Sequence, residues 1–328
     1  MNSPQVAVLV LNWNGMMVEF EGTPILKSAL DGLIKINYED FKIILIDADS
    51  VDTSVEFVKA NFPQVDVVRT SNIGWAYNNN RGLEYIIHTY PNASYIVIMS
   101  NDIIIQDKNL LKKLIFYADG FNDLGLLGCK IKRPDGRLDT NGLKLGRLGI
   151  YVERTSTENG RMGDYESIVG SFFLIKTEVL RTIGLLDETY IMMGMEDTDI
   201  AERARRYGYG TYFYGDVWVT HIGSASTFNF KGNIENRWKL KDIVENMSIN
   251  NFVFLLRYRS RYIIPLLFAT YLSSVMKIRP KFSAKMPRFH SVISGLSNLV
   301  IAASRYRISE DYRHEFDRTK DDSGEKQG

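Results

Sequence analysis

The sequence has little of what would staple a chain, thread it through a membrane or send it to nucleic acid. It holds one cysteine, Cys129, so neither an internal disulfide nor a cysteine-built zinc site can form. Within the apolar run LGLLGCKI, that thiol reads as a small core residue in a protein suited to a reducing compartment. Charge is nearly balanced, +1 over 328 residues, and no recognised nucleic-acid motif accompanies the basic residues, so nucleic acid is not expected as a partner. No apolar run reaches the ~20 residues that a spanning helix needs. Phe252 to Ile278 comes nearest, but Arg257, Arg259, Arg261 and Pro265 break it. The opening MNSPQVAVLVLNWNG has no basic start and turns polar at Asn12, so it reads as a first strand and not as a signal peptide. No glycine-rich loop follows that strand, which removes the main support for NAD-binding, ATPase and kinase readings.

What is present is a globular composition, 45% hydrophobic, with material for one large or two modest domains. The first half alternates strand and helix. Val6 to Leu11 is a continuous apolar run, as expected of a strand buried on both faces. A helix follows with Thr23 as its cap, Pro24 in its first position, and Ile25, Leu26, Ala29, Leu30 and Leu33 on one face. Strands at Lys42 to Asp47, VDVVR and Ser94 to Ser100 are separated by helices over Thr53 to Phe62 and from Trp75. A further helix carries Leu110, Leu111, Leu114, Ile115 and Ala118. This βαβαβαβα order predicts an α/β fold with a mostly parallel sheet, whose ligands bind beyond the carboxyl ends of the strands.

Those strand ends are polar: Asn12-Trp13-Asn14-Gly15, Asp47-Ala48-Asp49-Ser50 and Ser100-Asn101-Asp102. Asp47 is placed to accept from a pyrimidine imide or a ribose hydroxyl, and equally to close its own loop as an Asx-turn. Asp102 could ligate Mg2+ or Mn2+, which take oxygen ligands and share substrate phosphates, or could simply close a loop. Further on, Met195 to Gly210 sets Glu196, Asp197 and Asp199 at the start of an amphipathic helix. Asp197 shares a face with Ile200, Ala201 and Ala204, while Glu202, Arg203, Arg205 and Arg206 are expected to look outward. A carboxylate there either caps free N–H groups or does chemistry, and the residues alone leave both open.

These motifs carry a family resemblance. Asn12 to Gly15, Asp47 to Ser50, Asn72-Ile73-Gly74 with Asn80, Ser100 to Asp102, Gly170 to Ile175, Gly184 to Glu188, Glu196-Asp197 and His221 together resemble the inverting GT-A glycosyltransferases of family 2. More narrowly they are similar to rhamnosyltransferase-like members that build bacterial surface polysaccharides. The match runs from about Val6 to Thr227. The resemblance implies a GT-A fold and a nucleotide-sugar site of Asn12, Asn14, Asp47, Asp49, Ser50, Asn72, Gly74, Asn80 and Asn101. It implies a Mn2+ or Mg2+ site at Asp102 and His221, and Asp197 as the base that deprotonates the acceptor, with Glu196 as the competing base. The implied partners are a dTDP- or UDP-sugar donor and a glycan or lipid-linked glycan acceptor.

The expected organisation is a catalytic domain over 1–230, with a nucleotide-binding half to about 130 and an acceptor half from 131. A basic helical extension spans 231–309 and a polar, disordered tail 310–328. From Asn251 to Ser309 there are ten Lys or Arg and no Asp or Glu. With Trp238, Tyr258, Tyr262 and Tyr271, that stretch suits an interfacial surface on the cytoplasmic face of a membrane; packing on the catalytic domain or in a homo-oligomer would use it equally well. Two other functions stay on the table: a sugar nucleotidyltransferase, disfavoured for want of a triphosphate cradle, and a non-catalytic membrane-associated scaffold.

Overall fold

The computed structural model describes residues 3–146, 150–223, 240–267 and 297–305. The chain divides into two units, one of Met1–Leu145, Tyr151–Asp187 and Glu196–Trp238, the other of Gly146–Ile150, Glu188–Met195 and Lys239–Gly328.

The first unit is built in the order β1 (Gln5–Asn12), β2 (Glu19–Phe20), β3 (Thr23–Pro24), α1 (Ile25–Leu33), β4 (Phe41–Ala48), α2 (Ser54–Asn61), β5 (Val65–Thr70) and α3 (Trp75–Thr89). There follow β6 (Ala93–Ser100), β7 (Ile103–Ile104), α4 (Leu110–Asp119), β8 (Leu124–Lys132), β9 (Leu138–Thr140), β10 (Leu143–Leu145) and β11 (Tyr151–Glu153). Next come β12 (Gly160–Arg161), β13 (Glu166–Ser167), β14 (Phe172–Lys176), α5 (Thr177–Ile183), α6 (Glu196–Arg206) and β15 (Gly210–His221).

Its main sheet runs β12-β15-β8-β14-β6-β1-β4-β5, with β7 paired to β15 and β9 to β8. β1 lies between β4 and β6 and is parallel to both. The connections leave β1 in opposite directions, so its carboxyl end is a topological switch point, where a crevice opens between the loops. β14 enters antiparallel between β6 and β8, and β15 runs parallel to β8.

Alternation along each strand sorts the core into two layers. Val6, Val8, Val10, Val97 and Met99 pack with Leu26, Leu30, Val58 and Leu111 on the face of α1, α2 and α4. Ala7, Leu9, Ile44, Ile46, Ile96 and Ile98 pack with Leu83, Ile86, Val179, Ile200 and Ala204 on the face of α3, α5 and α6. Burial on both faces is why these strands read as unbroken apolar runs. The mixed α/β sheet with flanking helices is the fold class expected above.

Two local expectations fail. Thr23 does not cap α1: it pairs with Phe20 across a two-residue turn, Glu21-Gly22, in which both φ angles are positive, 50° and 74°. That is the backbone a tight hairpin demands, and it leaves Pro24 in the cap position, with no side-chain cap bond.

The outward face expected on α6 holds for Arg206, which is exposed, but fails for Glu202, Arg203 and Arg205. Glu202 is 4% exposed, and it receives Arg205 Nη1 at 2.6 Å and Arg206 Nε at 3.2 Å. Arg203 Nε donates to the fully buried Asp199 at 2.7 Å, while its two Nη atoms donate to the carbonyls of Ile183 and Leu185 at 2.9 and 2.7 Å. A planar guanidinium can hold a carboxylate and two carbonyls at once, so charge here is consumed internally. This fastening ties the loop after α5 to α6.

The second unit holds α7 (Leu240–Tyr258), a 3-10 turn at Ser260–Tyr262, and helical residues 263–267 and 297–305. Asn250 Nδ2 donates to the carbonyls of Ile191 and Met193 at 3.0 and 3.1 Å. Arg257 Nη2 donates to Thr189 Oγ1 at 3.0 Å, and Arg305 donates to Asn250 and Asn246 at 3.2 and 2.9 Å. Two of the basic residues assigned above to a membrane surface therefore also make contacts inside the unit. The boundary expected near 230, Trp238, Tyr271 and the 310–328 tail lie outside the described residues.

Arg203→Met tests the α6 fastening. Removing one partner leaves the Asp199 carboxylate buried without that cation, at a cost of roughly 3–5 kcal/mol. Urea denaturation should show a fall of that order; a loss below about 1 kcal/mol would mean that the pair is not what holds α6.

Candidate active site

The side chains at the switch point form one connected network. Asn12, fully buried, donates from Nδ2 to Asp47 Oδ1 at 3.0 Å and to Ser50 Oγ at 3.3 Å, and accepts from Asn101 Nδ2 at 2.7 Å. The register explains the meeting: Asn12 stands opposite Asp47, and Leu11 opposite Ser100, across the two parallel ladders. Asp47 also accepts the Ser50 N–H at 3.1 Å, closing its own loop, and Arg69, its partner on β5, brings Nε to 3.7 Å. Asp47 thus closes its own loop, as foreseen for it as an alternative, but through the N–H three residues on and not the two of an Asx-turn.

Asn14 links the first loop to the second. Its N–H donates to Ser50 Oγ at 2.8 Å and its Oδ1 accepts the Val51 N–H at 2.9 Å, while Asn14 Nδ2 is buried with no partner. Both Asn14 and Asp49 have positive φ, 52° and 56°, in the left-handed region that Asn and Asp tolerate better than most residues. Asp49 is exposed, Asn72 is half-buried and Gly74 is buried just ahead of α3. Asn80 uses its amide to clamp the backbone of Leu186, donating to its carbonyl at 2.8 Å and accepting its N–H at 3.0 Å.

Gly15 is required by close approach. A Cβ there would stand 2.4 Å from Asn12 Oδ1 and 2.8 Å from both Asn101 Nδ2 and Leu26 Cβ.

On the other side of Asn101, Asp102 Oδ2 lies 3.3 Å from His221 Nε2. His221 closes β15, opposite Ile103 of β7, which brings the two together from distant parts of the chain. Its Nδ1 is 2.8 Å from Asp139 Oδ2, and Asp139 Oδ1 accepts from Arg133 Nε at 3.2 Å. Burial opposes a charge on the imidazole, but the hydrogen bonds and charges of Asp102 and Asp139 outweigh it and raise its pKa to about 9. Without a metal, the ring therefore holds a proton between two carboxylates at neutral pH.

Sequence reasoning missed Asp139. It lies in the polar stretch RPDGRLDTNG, where nothing in periodicity or composition separates it from a turn residue. Its pairing of β9 with β8 is what carries it to the imidazole.

Asp197 occupies the first turn of α6. Its Oδ2 accepts the Gly170 N–H at 2.8 Å, and its Oδ1 accepts from Thr198 N and Oγ1 at 2.6 and 3.2 Å. Burial pushes its carboxyl pKa up, against those hydrogen bonds, which pull it down. The neighbouring Ser171 carbonyl accepts the Ser100 N–H at 3.0 Å. Two adjacent residues of one loop thus connect Asp197 to the segment that carries Asp102. Glu196 is buried, whereas Asp197 keeps part of its surface open to solvent.

Among the described residues no three His, Cys, Asp or Glu side chains gather as a ready-made metal cage. Asp102 Oδ2 and His221 Nε2 nonetheless fit two ligands of one ion. Neighbouring ligands at about 2.1 Å from a six-coordinate ion stand about 3 Å apart, and Mg2+ commonly takes one or two protein ligands together with substrate phosphates.

The fold class is thus α/β, with a polar rim at its switch point, a carboxylate–imidazole pair and a half-open carboxylate at a helix start. The chain matches the family described as glycosyltransferase like family 2 over residues 4–240, and it belongs to that family. Among solved structures it is similar in fold to a mannosyltransferase from Pyrobaculum calidifontis in complex with GDP-Man and Mn2+. That match has TM-score 0.51 and 16% identity and covers 92% of this chain and 78% of that one. It is also similar to GalNAc-T7 with UDP, GalNAc and Mn2+, with TM-score 0.58, 14% identity, and 92% and 57% of the two chains covered. A curated relative, uncharacterized protein y4gI of Sinorhizobium fredii, is 20% identical over 249 residues, 67% of this chain. The chain spans about a quarter of that relative's length, 27%.

Gly15→Ala should push Asn12 and Asn101 apart and leave buried amides unpaired, at about 1–3 kcal/mol. Chemical denaturation checks it; unchanged stability would mean that the network re-forms around a methyl group.

Proposed function

We propose that this protein transfers a sugar, with inversion, from a nucleoside-diphosphate donor to a hydroxyl of a glycan or lipid-linked glycan. The reading includes rhamnose carried by dTDP as the donor and the assembly of a bacterial surface polysaccharide as the setting. The observation that carries it is the continuity of one rim, from Asp47 through Asn12 and Asn101 to Asp102 and His221, joined through Ser100, Ser171 and Gly170 to Asp197.

Each part has a task in that reaction. Asn14, Asp47, Asp49, Ser50 and Arg69 stand where the nucleoside would bind, with the Asn14 Nδ2 donor unspent. Asn72, Gly74 and the first turn of α3 complete that side, and Asn80 fixes the Leu186 backbone. Asp102 and His221 would hold Mn2+ or Mg2+, which when bound supplies Lewis-acid stabilisation of the diphosphate as it leaves. Asp197 would accept the proton of the acceptor hydroxyl as that oxygen attacks the anomeric carbon. A carboxylate with a raised pKa is the stronger base. Its partial exposure favours it over the buried Glu196.

The two structural neighbours were captured with GDP-Man and with UDP, each with Mn2+, which supports a nucleotide-sugar donor and a divalent cation here. The acid-free stretch 251–309 supports work at an anionic membrane surface in the cytoplasm. No helix among the described residues is long and apolar enough to cross a membrane.

The decisive experiment is thermal denaturation with dTDP, UDP and GDP, each with Mn2+ and with EDTA. A ligand that binds the folded state raises the midpoint. One nucleotide should do so strongly, and only with Mn2+; no shift with any of them, in protein shown to be folded, would reject the reading.

Asp197→Asn is expected to keep that metal-dependent shift while lowering turnover about a hundredfold or more, as for loss of a general base. Normal turnover in this variant would transfer the role to Glu196.

A further inference from the structure

We propose that Asp139 is the positioning residue of the metal site: it fixes the tautomer and the plane of His221 so that Nε2, and not Nδ1, is offered beside Asp102. The inference rests on the metal-dependent reading above and concerns a residue that neither composition nor motif singled out.

The geometry is a linear relay. Arg133 Nε donates to Asp139 Oδ1 at 3.2 Å, Asp139 Oδ2 lies 2.8 Å from His221 Nδ1, and His221 Nε2 lies 3.3 Å from Asp102 Oδ2. A neutral imidazole has one N–H and one lone pair. An ionised carboxylate at hydrogen-bond distance from Nδ1 can only accept, so when a metal ion takes the place of the Nε2 proton, Asp139 keeps the remaining proton on Nδ1 and the lone pair is left on Nε2. That lone pair is on the side of Asp102.

Asp139 is itself held. Its side chain is 6% exposed and Arg133 occupies its other oxygen. β9 pairs with β8, Thr140 standing opposite Ile131 and Leu138 opposite Lys132, while β8 pairs with β15, which ends at His221. The carboxylate and the imidazole thus hang from two strands that both pair with the end of β8 in one sheet, a rigid mount for a ligand.

A carboxylate on the far nitrogen of a ligating histidine raises the ligand's basicity and fixes its orientation, and losing such a partner costs 10–100-fold in metal affinity. A merely structural carboxylate would move stability and leave metal affinity alone. That difference makes the inference testable without any assay of turnover.

Mn2+ binding to the full chain, followed by the EPR signal of free Mn2+ in the presence of dTDP, of UDP and of GDP in separate titrations, gives the affinity. Asp139→Asn should weaken it 10–100-fold, with circular dichroism unchanged. The loss in the double variant Asp139→Asn/His221→Gln should match that of His221→Gln alone, because Asp139 acts through the ring. Mn2+ affinity in folded Asp139→Asn within twofold of wild type, or losses that add in the double variant, would overturn the positioning role while leaving the metal site standing. Wild-type protein that binds no Mn2+ with any of the three nucleotides would overturn the metal site and the positioning role together.

Should Asp139→Asn fail to fold, the wild type decides. Nitrogen-15 chemical shifts of the His221 ring in the Mg2+-loaded protein should show the proton on Nδ1. A proton on Nε2 would overturn the proposal.

Discussion

The rim at the switch point depends on a single amide. Asn12 is fully buried and joins an acceptor on one neighbouring strand end, Asp47, to a donor on the other, Asn101. An amide carries both a donor and an acceptor on one flat group, and this position needs both. An aspartate there would set a second carboxylate against Asp47. A leucine would leave the amide of Asn101 and the carboxylate of Asp47 each short of a partner, at a cost of about 1–3 kcal/mol for each such group. Because β1 lies between β4 and β6, its last residue stands between the loops that follow both of them. The close approach of Gly15 follows from the same constraint: the chain must turn directly beneath that amide.

The carboxylates of α6 show how one short helix sorts identical groups into different roles. Asp199 and Glu202 are buried and face guanidinium groups, Asp199 that of Arg203 and Glu202 those of Arg205 and Arg206. Those pairs settle their charge and spend it on architecture. Asp197 instead receives hydrogen bonds from neutral donors, the N–H groups of Gly170 and Thr198 and the Thr198 hydroxyl, and among the described residues no cation pairs with it. Neutral donors orient a carboxylate without cancelling its charge, and burial then raises its pKa. Orientation with retained basicity is what a general base requires.

Much of this was legible in the sequence, and the limits are physical. The strands of the β5-β4-β1-β6 half and the helices between them are long and periodic, so apolar runs found them, and the polar residues at their ends marked the crevice. Thr23 was read as a cap because Thr before Pro at a helix start has that meaning, yet the hairpin depends on Glu21 adopting a positive φ, which composition does not announce. Arg203, Arg205 and Glu202 were placed outward because charge is normally solvated; their burial depends on partners up to 39 positions away, such as the Glu166 carbonyl that accepts from Arg205. Asp139 was invisible for the same reason: β9 is three residues long, too short to show a period, and its meaning lies in a histidine 82 positions further on.

The charge of the rim bears on why a metal belongs to the reading. Asp47, Asp102, Asp139 and Asp197 lie along it, against Arg69 beside Asp47, Arg133 beside Asp139 and the shared imidazole of His221. Both arginines are already committed to carboxylates, and the imidazole serves two. A nucleoside diphosphate approaching Asp102 would bring more negative charge to a place with no uncommitted cation among these residues. Like charges in a partly desolvated crevice repel more strongly than in water. A divalent cation carried in with the diphosphate removes that conflict, and it needs few protein ligands because the phosphates supply the rest. In that reading a pair of ligands, one of them a histidine with its far nitrogen anchored, would be enough: a fuller cage would hold the ion without the donor, whereas the proposed pair would make metal and donor binding depend on each other.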